Sequence, residues 1–169
     1  LIKLADRTHN MRTMGDMPRS KWQRISNETL EIYAPIAHRL GLNFTYRELQ
    51  DLAFRFLHPW RYQVLDKALS KSRGRRTDFI GRVQREVEES FNDQHMPVRI
   101  LGREKTLYSV YQKMETKHLT FSQVTDIYGF RIVVPELTDC YTGLGVLHQL
   151  YKPLPGKFRD YVAIPKVNG

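Results

Sequence analysis

The chain has 169 residues, 41% of them hydrophobic, a mean hydropathy of −0.51 and a formal net charge of +9. This length supports one or two packed domains, and no stretch approaches the roughly 18 apolar residues of a membrane span. The single cysteine, Cys140, excludes a disulfide within one chain and any CxxC metal site. We therefore expect a cytoplasmic protein without a membrane segment, whose partners are anionic: nucleic acid, nucleotides or acidic lipid.

Helical patterns fill the N-terminal half of the chain. Gly15 and Pro18 separate the first two helices, Pro35 should kink the second, and Gly41 should cap its C-terminus. An arginine-rich turn around Gly74 should separate the last two. The predicted helices span residues 1–14, about 22–40, about 45–57, about 60–71 and about 77–92.

After Pro97 the pattern changes to strands that alternate with helices. Strands are predicted at 98–101, 127–134 and 161–164, and helices at 105–117 and 140–151. An all-helical part is thus followed by a part that contains a sheet, which predicts the α+β class.

The predicted helix at 105–117 has two different faces. Lys105, Ser109 and Lys113 fall within an arc of roughly 80°, opposite a packed apolar face. Gly102-Arg103 precedes them at a predicted strand-to-helix turn, where backbone donors could receive a phosphate. Asp126, which follows later in the chain, could hold Mg²⁺. The same pattern is typical of the solvated side of a surface helix, and the residues alone leave both interpretations open.

Two further polar constellations lie near the ends of the chain. In "LADRTHN", Asp6 and Asn10 are one helical turn apart with His9 beside them, as in a metal site or on an ordinary polar helix surface. The stretch "PGKFRDYVAIPKVNG" concentrates Lys157, Arg159 and Lys166, as in an anion-binding loop or a basic hairpin.

Five motifs together resemble the RelA/SpoT homologue family of alarmone enzymes, in order and in spacing. They are "KLADRTHNMRT", "EIYAPIAHRLG", "GREKTLYSVYQKM", "DIYGFRIVV" and "PGKFRDYVAIPK". The resemblance runs from Leu1 to Gly169 and implies two domains. The first, residues 1–57, would be the end of an HD-type hydrolase with connecting helices. The second, residues 58–169, would be the first part of a synthetase with a nucleotidyltransferase-like mixed sheet.

The resemblance also implies two reactions. The family's hydrolase removes the 3′-pyrophosphate of (p)ppGpp with Mn²⁺, and its synthetase transfers pyrophosphate from ATP to the 3′-hydroxyl of GTP or GDP with Mg²⁺. The basic tetrapeptide "KFRD" is typical of bifunctional or hydrolytic members. Ribosome or regulatory-protein contacts would involve other domains of the parent.

Site residues follow by matching positions to the family's motifs. In the hydrolase, Asp6 matches a Mn²⁺ ligand, and Asn10 and Thr13 match alarmone contacts. In the synthetase, the ATP-binding set is Arg103, Lys105, Ser109, Lys113 and Arg131, where the two arginines sandwich adenine. Asp126 matches the Mg²⁺ carboxylate. The positions assigned to GTP or GDP binding are Lys157, Arg159, Lys166 and Asn168.

We expect a segment of a longer protein, because Leu1 already lies inside a helical pattern and Gly169 follows no closing element. The remaining metal ligands should precede Leu1, and the catalytic glutamate should follow Gly169, so the segment alone is expected to be inactive. Two alternatives remain: a basic module that docks on RNA or protein without catalysis, and a parent that kept hydrolysis alone.

Overall fold

The computed structural model describes residues 1–165, with side chains described outside 72–76. Seven α-helices and two strands are present in that range: α1 Ile2–Arg12, α2 Arg19–Glu28, α3 Ala34–Arg39, α4 Asn43–Leu57, α5 Pro59–Asp93, β1 Arg99–Glu104, α6 Leu107–Lys117, β2 Tyr128–Val133 and α7 Leu137–Leu150. A largely helical chain with one small sheet confirms the α+β class.

The chain divides into two compact units. One comprises Leu1–Arg76 with Arg103–Gly129, and the other comprises Thr77–Gly102 with Phe130–Gly169. Both are discontinuous in sequence, because the chain leaves the first unit within α5 and returns to it within β1. The domain boundary implied at residue 58 stays a prediction.

The core of the first unit joins α1 to α4. Its side chains recur at helical spacing and are removed from water, which is the main stabilising contribution to such a bundle. The fully or nearly buried members are Leu4, Met11, Met14, Ile25, Ala34, Ala37, Leu49 and Ala53.

Pro35 interrupts the second predicted helix, as expected. Residues Thr29–Tyr33 form a π-helical turn between α2 and α3, and Pro35 lies in the first turn of α3. Because proline has no N–H, it cannot continue the α-helical bonding there, and the wider turn accommodates it. Gly41 adopts a φ of 72°, and the Leu42 N–H bonds to the Ala37 carbonyl at 2.9 Å, which confirms the predicted glycine cap.

The turn predicted around Gly74 is wrong, since α5 runs without a break from Pro59 to Asp93. A single glycine costs about 1 kcal/mol in a helix relative to alanine. The neighbouring lysines and arginines favour the helical backbone, and no proline removes a donor in this stretch.

Strands β1 and β2 pair antiparallel, close to the predicted ranges. At one end the Lys105 N–H donates to the Ile127 carbonyl oxygen at 2.8 Å, which fixes the register. The strand predicted at 161–164 is wrong, because these residues form turns. The Asp160 carboxylate accepts the N–H groups of Val162 and Ala163, both at 2.9 Å, and so commits those donors to a turn.

The second unit has its own core, around the end of α5, β1 and α7. The buried residues are Val87, Phe91, Met96, Ile100 and Val146. Gly143 of α7 lies against Phe91: a Cβ atom at this position would be 3.0 Å from the Cε1 atom of the ring. The absence of a side chain at Gly143 therefore allows α7 to approach Phe91 closely.

Candidate nucleotide site

Asp126 forms the centre of a compact charged cluster in the first unit. Its Oδ2 atom accepts a hydrogen bond from Lys105 Nζ at 2.5 Å, and its Oδ1 atom accepts one from Lys113 Nζ. The exposed fractions of the side chains are 48% for Asp126, 35% for Lys105 and 24% for Lys113, so solvent reaches the cluster. We call this the Asp126 cluster.

Three different elements bring these groups together. Lys105 follows β1 in an extended segment, Lys113 lies in the second turn of α6, and Asp126 precedes β2. The prediction that Lys105 shares a helical face with Ser109 and Lys113 is therefore wrong, because α6 begins only at Leu107. Lys105 reaches the cluster instead through the backbone bond that ties it to Ile127.

The two ammonium groups change the acidity of the carboxyl. Hydrogen bonds from Lys105 and Lys113 lower the pKa of Asp126 to about 2. The carboxylate is thus held ionised at neutral pH, as a metal ligand must be. Two convergent lysines and one accessible carboxylate fit a Mg²⁺ ion bound between a carboxylate and substrate phosphates, the usual arrangement for this metal.

Ser109 contributes to the N-terminus of α6. Its N–H donates to Thr106 Oγ1 at 3.3 Å, and the two hydroxyl oxygens are 2.9 Å apart. Thr106 is thus the N-cap of α6. In this structure Ser109 is engaged in capping, and its predicted role in phosphate binding stays a prediction.

Asp51 is a residue that the sequence patterns did not indicate. Its Oδ1 atom accepts the Tyr108 N–H at 2.9 Å, so a carboxylate of α4 caps the N-terminus of α6. Burial raises the pKa of Asp51, although hydrogen bonds from the backbone of Tyr108 and Leu107 and from the Thr106 hydroxyl oppose this effect. The contact joins residues 57 positions apart, and no local motif indicates it.

Aromatic packing holds α4 against α6 beside this cap. Phe54 is fully buried and stacks on Tyr111, with ring centroids 4.6 Å apart and an interplanar angle of 18°. Tyr62 and Tyr108 contact the same ring at 5.8 and 5.9 Å. The predicted apolar face of α6 is confirmed: Val110 is fully buried, and its neighbours pack in the same cluster.

The two arginines assigned to adenine lie on the paired strands. Arg103 is an exposed residue of β1 and Arg131 an exposed residue of β2. The first belongs to one compact unit and the second to the other. Gly102 and Arg103 lie inside β1, so the strand-to-helix turn predicted at this pair is wrong. The backbone donors of α6 that we have described bond to Asp51 and Thr106 instead.

Two of the residues assigned to hydrolysis, Asp6 and Asn10, lie one turn apart on α1, and the third, Thr13, follows its last residue. Asp6 and Asn10 are exposed and joined by a 3.5 Å hydrogen bond from Asn10 Nδ2 to Asp6 Oδ2. Thr13 donates its hydroxyl to the His9 carbonyl at 3.1 Å. Asn10 also lines a cavity of about 330 Å³ that contains two arginines, Arg7 and Arg24.

Metal-ligand groups are sparse in the described part of the chain. Among residues 1–165, with the side chains of 72–76 aside, no three or more His, Cys, Asp or Glu side chains cluster as metal ligands do. Asp6 therefore offers one carboxylate ligand, which by itself does not hold a metal ion. Within the same range, no helix has both the length and the apolar character that a bilayer crossing requires.

Lys157 and Arg159 are exposed; Lys157 lies in a turn, and Arg159 lies outside any helix, strand or turn. Arg159 Nη1 donates to the Tyr161 hydroxyl at 3.4 Å, and the Lys157 N–H bonds to the Leu154 carbonyl at 3.1 Å. Lys166 and Asn168 lie outside the described residues.

Comparisons with known proteins match both parts of the chain. Residues 102–169 match the family described as the region found in RelA / SpoT proteins, and residues 1–43 match an HD domain. Over its whole length the chain is 50% identical to a guanosine-3′,5′-bis(diphosphate) 3′-pyrophosphohydrolase of Haemophilus influenzae. It is 49% identical to the bifunctional (p)ppGpp synthase/hydrolase SpoT of Escherichia coli K12. Over 168 residues it is 42% identical to a GTP pyrophosphokinase of Myxococcus xanthus. It spans about a quarter of the length of these relatives: 25%, 24% and 22%.

Proposed function

Because the chain belongs to the RelA/SpoT family, we propose that it is the segment in which an alarmone hydrolase continues into an alarmone synthetase. Residues 1–57 would close the hydrolase, and residues 58–169 would open the synthetase. The observation that carries this proposal is the Asp126 cluster, where two lysines converge on one accessible carboxylate. The names of two relatives, a guanosine-3′,5′-bis(diphosphate) 3′-pyrophosphohydrolase and a GTP pyrophosphokinase, support the same assignment.

In the proposed synthesis, the 3′-hydroxyl of GTP or GDP attacks the β-phosphate of ATP, and AMP leaves. Lys105 and Lys113 would neutralise phosphate oxygens as charge moves onto the leaving group. Asp126 would hold Mg²⁺, which would offset the negative charge of the substrate phosphates. The two lysines must exchange Asp126 for phosphate as substrate binds, since both ammonium groups contact the carboxylate in this structure.

The other assigned residues would orient the nucleotides. Arg103 and Arg131 would stack on adenine, because a guanidinium plane packs well on a base. Ser109 would contact phosphate. The proposed GTP- or GDP-binding residues are Lys157, Arg159, Lys166 and Asn168.

In the proposed hydrolysis, α1 provides one wall of the (p)ppGpp site. Asp6 would be one ligand of Mn²⁺, which supplies an activated water when bound. Asn10 and Thr13 would contact the alarmone. Arg24 in the adjoining cavity suits a pyrophosphate group, whereas Arg7 in the same cavity is paired with Glu28 at 3.0 Å. We place the whole protein in the cytoplasm, where its nucleotide substrates are, with ribosomal or regulatory partners bound by its other domains.

The test compares two substitutions in the full-length protein. Asp6→Asn should reduce hydrolysis at least 100-fold and spare synthesis, whereas Asp126→Asn should do the reverse, since each removes one metal-binding charge. Synthesis is measured as AMP release and hydrolysis as pyrophosphate release. Asp93→Asn, at the exposed end of α5, is the matched control. If both site variants retained both activities, the assignment of the two carboxylates would be wrong.

A further inference from the structure

The first turn of α6 is held by a carboxylate that belongs to a distant helix. The first N–H groups of a helix have no acceptor within it, so other groups must accept their hydrogen bonds. Asp51 of α4 accepts the N–H groups of Leu107 and Tyr108, the second at 2.9 Å. The Ser109 N–H donates to Thr106 Oγ1 at 3.3 Å. These three N–H groups are therefore engaged before any ligand binds.

Thr106 connects Asp51 to Ser109. Its hydroxyl forms a hydrogen bond that stabilises the ionised Asp51 carboxylate, and its Oγ1 atom lies 2.9 Å from Ser109 Oγ. The carboxylate, the two hydroxyl groups and the first turn of α6 thus form one hydrogen-bonded unit, which we call the Asp51 network. The members of such a network depend on one another more than separate contacts do.

Asp51 is itself fixed by the helix that carries it. Its neighbours on α4 are fully buried: Leu49, Ala53 and Phe54. Because these side chains belong to a close-packed interior, α4 cannot turn about its axis without disrupting that packing. Asp51 therefore presents its short side chain to α6 from a rigid position.

Two further contacts hold α6 farther along its length. Tyr111 stacks on Phe54, with ring centroids 4.6 Å apart, and Glu115 pairs with Arg61 of α5. The Arg61 guanidinium also lies 5.5 Å from the Tyr111 ring centroid. These contacts hold the middle and the end of α6, so the position of its first turn depends on the Asp51 network.

Two residues assigned to ATP lie on the helix that this network holds. Ser109 and Lys113 are four residues apart and therefore share one face of α6. Ser109 lies in the first turn, and Lys113 lies one turn farther on, where its Nζ atom contacts Asp126 Oδ1. A shift of the first turn therefore moves both side chains relative to Asp126.

We propose that Asp51 is a positioning residue for the transfer of pyrophosphate, an inference that rests on the proposed function of the Asp126 cluster. By holding the first turn of α6, Asp51 sets where Ser109 and Lys113 meet the triphosphate of the donor. Its negative charge also occupies the positive end of the α6 dipole, which would otherwise compete with the two lysines for phosphate.

The test measures kcat and KM for ATP in the full-length protein, as AMP release at saturating GDP. Asp51→Ala should lower kcat at least tenfold, because a displacement of about 1 Å in a group that stabilises the transition state can cost about 100-fold. KM for ATP should change less than threefold, since Arg103 and Lys105 lie outside α6. Asp51→Asn keeps an acceptor for the Tyr108 N–H and should restore kcat to within threefold of the wild type.

Two controls separate positioning from lost stability. Hydrolysis, measured as pyrophosphate release, should stay within twofold in the Asp51 variants, since α6 carries none of the residues assigned to it. Val87→Ala removes buried atoms from the core of the second unit and should leave kcat per folded molecule unchanged.

A second substitution tests the network itself. Thr106→Val removes the hydroxyl that connects Asp51 to Ser109 and should also lower kcat. In the double variant Asp51→Ala/Thr106→Val, the loss should be smaller than the product of the two single losses, because both side chains act through the first turn of α6.

The possible failures can be told apart. An active wild type whose kcat survives Asp51→Ala would overturn this inference alone. Equal losses for Asp51→Ala and Asp51→Asn, equal losses of synthesis and hydrolysis, or independent effects of Asp51→Ala and Thr106→Val would also overturn it. A wild type that releases no AMP from ATP and GDP would overturn the proposed synthesis as well.

Discussion

At the scale of single residues, two neighbouring lysines determine the contacts and the pKa of the Asp126 carboxylate. Lys105 and Lys113 both precede it in the sequence, by 21 and 13 residues, and each contacts one of its two oxygens. The sequence indicated all three residues as candidates for a phosphate or nucleotide site, because the two lysines lie in the helix predicted at 105–117 and the carboxylate follows it. It did not predict that they contact one another, since that depends on pairing between β1 and β2.

The low pKa of Asp126 predicts a pH dependence of stability. A carboxyl whose folded pKa lies below its ordinary value of 3.8 adds stability above that value, and loses it as pH falls toward about 2. Urea unfolding of the chain from pH 6 downwards should therefore show a smaller fall for Asp126→Asn than for the wild type. The exposed Asp93→Asn control should follow the wild type. Parallel curves for all three proteins would contradict an ionic role for Asp126 in folding.

At the scale of elements, α6 is positioned by α4. The Asp51 cap and the Phe54–Tyr111 stack place the helix that carries Lys113. Periodicity predicted both helices and their packed faces, since the spacing of apolar residues is local information. It predicted neither the cap nor the stack, because both join distant parts of the chain.

Removal of the Asp51 cap should destabilise the chain. Asp51→Ala should lower the free energy of unfolding by about 1–3 kcal/mol, because the Tyr108 N–H loses its acceptor. Asp51→Asn keeps a carbonyl oxygen in the same place and should cost much less. Urea unfolding measures stability, and hydrogen exchange at residues 107–110 locates the change. Equal losses for the two variants would show that the contact does not act as a cap.

Two glycines of α7 offer a matched test of packing in the second unit. Gly143→Ala should destabilise, because its Cβ would lie 3.0 Å from the ring of the fully buried Phe91. Gly145→Ala meets no atom within 4 Å and should gain the helix propensity of alanine, about 0.5–1 kcal/mol. We expect the two variants to differ by about 1–3 kcal/mol in thermal or urea unfolding. A stabilised Gly143→Ala would mean that Phe91 shifts at no cost.

The errors of prediction at this scale have a common cause. The turn expected at Gly74 and the strand expected at 161–164 both came from residue type. At Gly74, the helix propensity of the neighbouring residues outweighs the cost of one glycine. After Asp160, hydrogen bonds from backbone N–H groups to the Asp160 side chain stabilise a turn, in place of the strand that the β-branched residues favour. In both cases one residue type was given more weight than the residues around it, which favour a different backbone conformation.

At the scale of the whole molecule, the charge of +9 is compatible with either a nucleotide enzyme or a basic docking module. The composition indicated anionic partners but not which kind. The family matches and the similarity along the whole length of the chain support the proposed alarmone function, and that signal is in the sequence as motifs, not as composition.

Salt dependence separates these two classes experimentally. A basic module that docks on RNA should bind a short single-stranded RNA at about 50 mM salt and lose affinity steeply toward about 300 mM, because its phosphate contacts release counterions. If the chain is instead part of a nucleotide enzyme, its affinity for this RNA should be weak throughout. ATP should protect residues 105–113 from hydrogen exchange and compete with the RNA. Fluorescence anisotropy measures the first effect. RNA binding that falls steeply with salt and that ATP does not displace would favour the module.

The double salt link at Asp126 has a consequence for the order in which ligands arrive. A carboxylate that is already paired with two ammonium groups should bind a free divalent ion weakly. The ion would have to displace both lysines, and it offers them no new partner. In the proposed synthesis, a triphosphate that brought its own ion would give both lysines new partners at the moment it freed the carboxylate. The cluster would then favour the metal–nucleotide pair over either component alone.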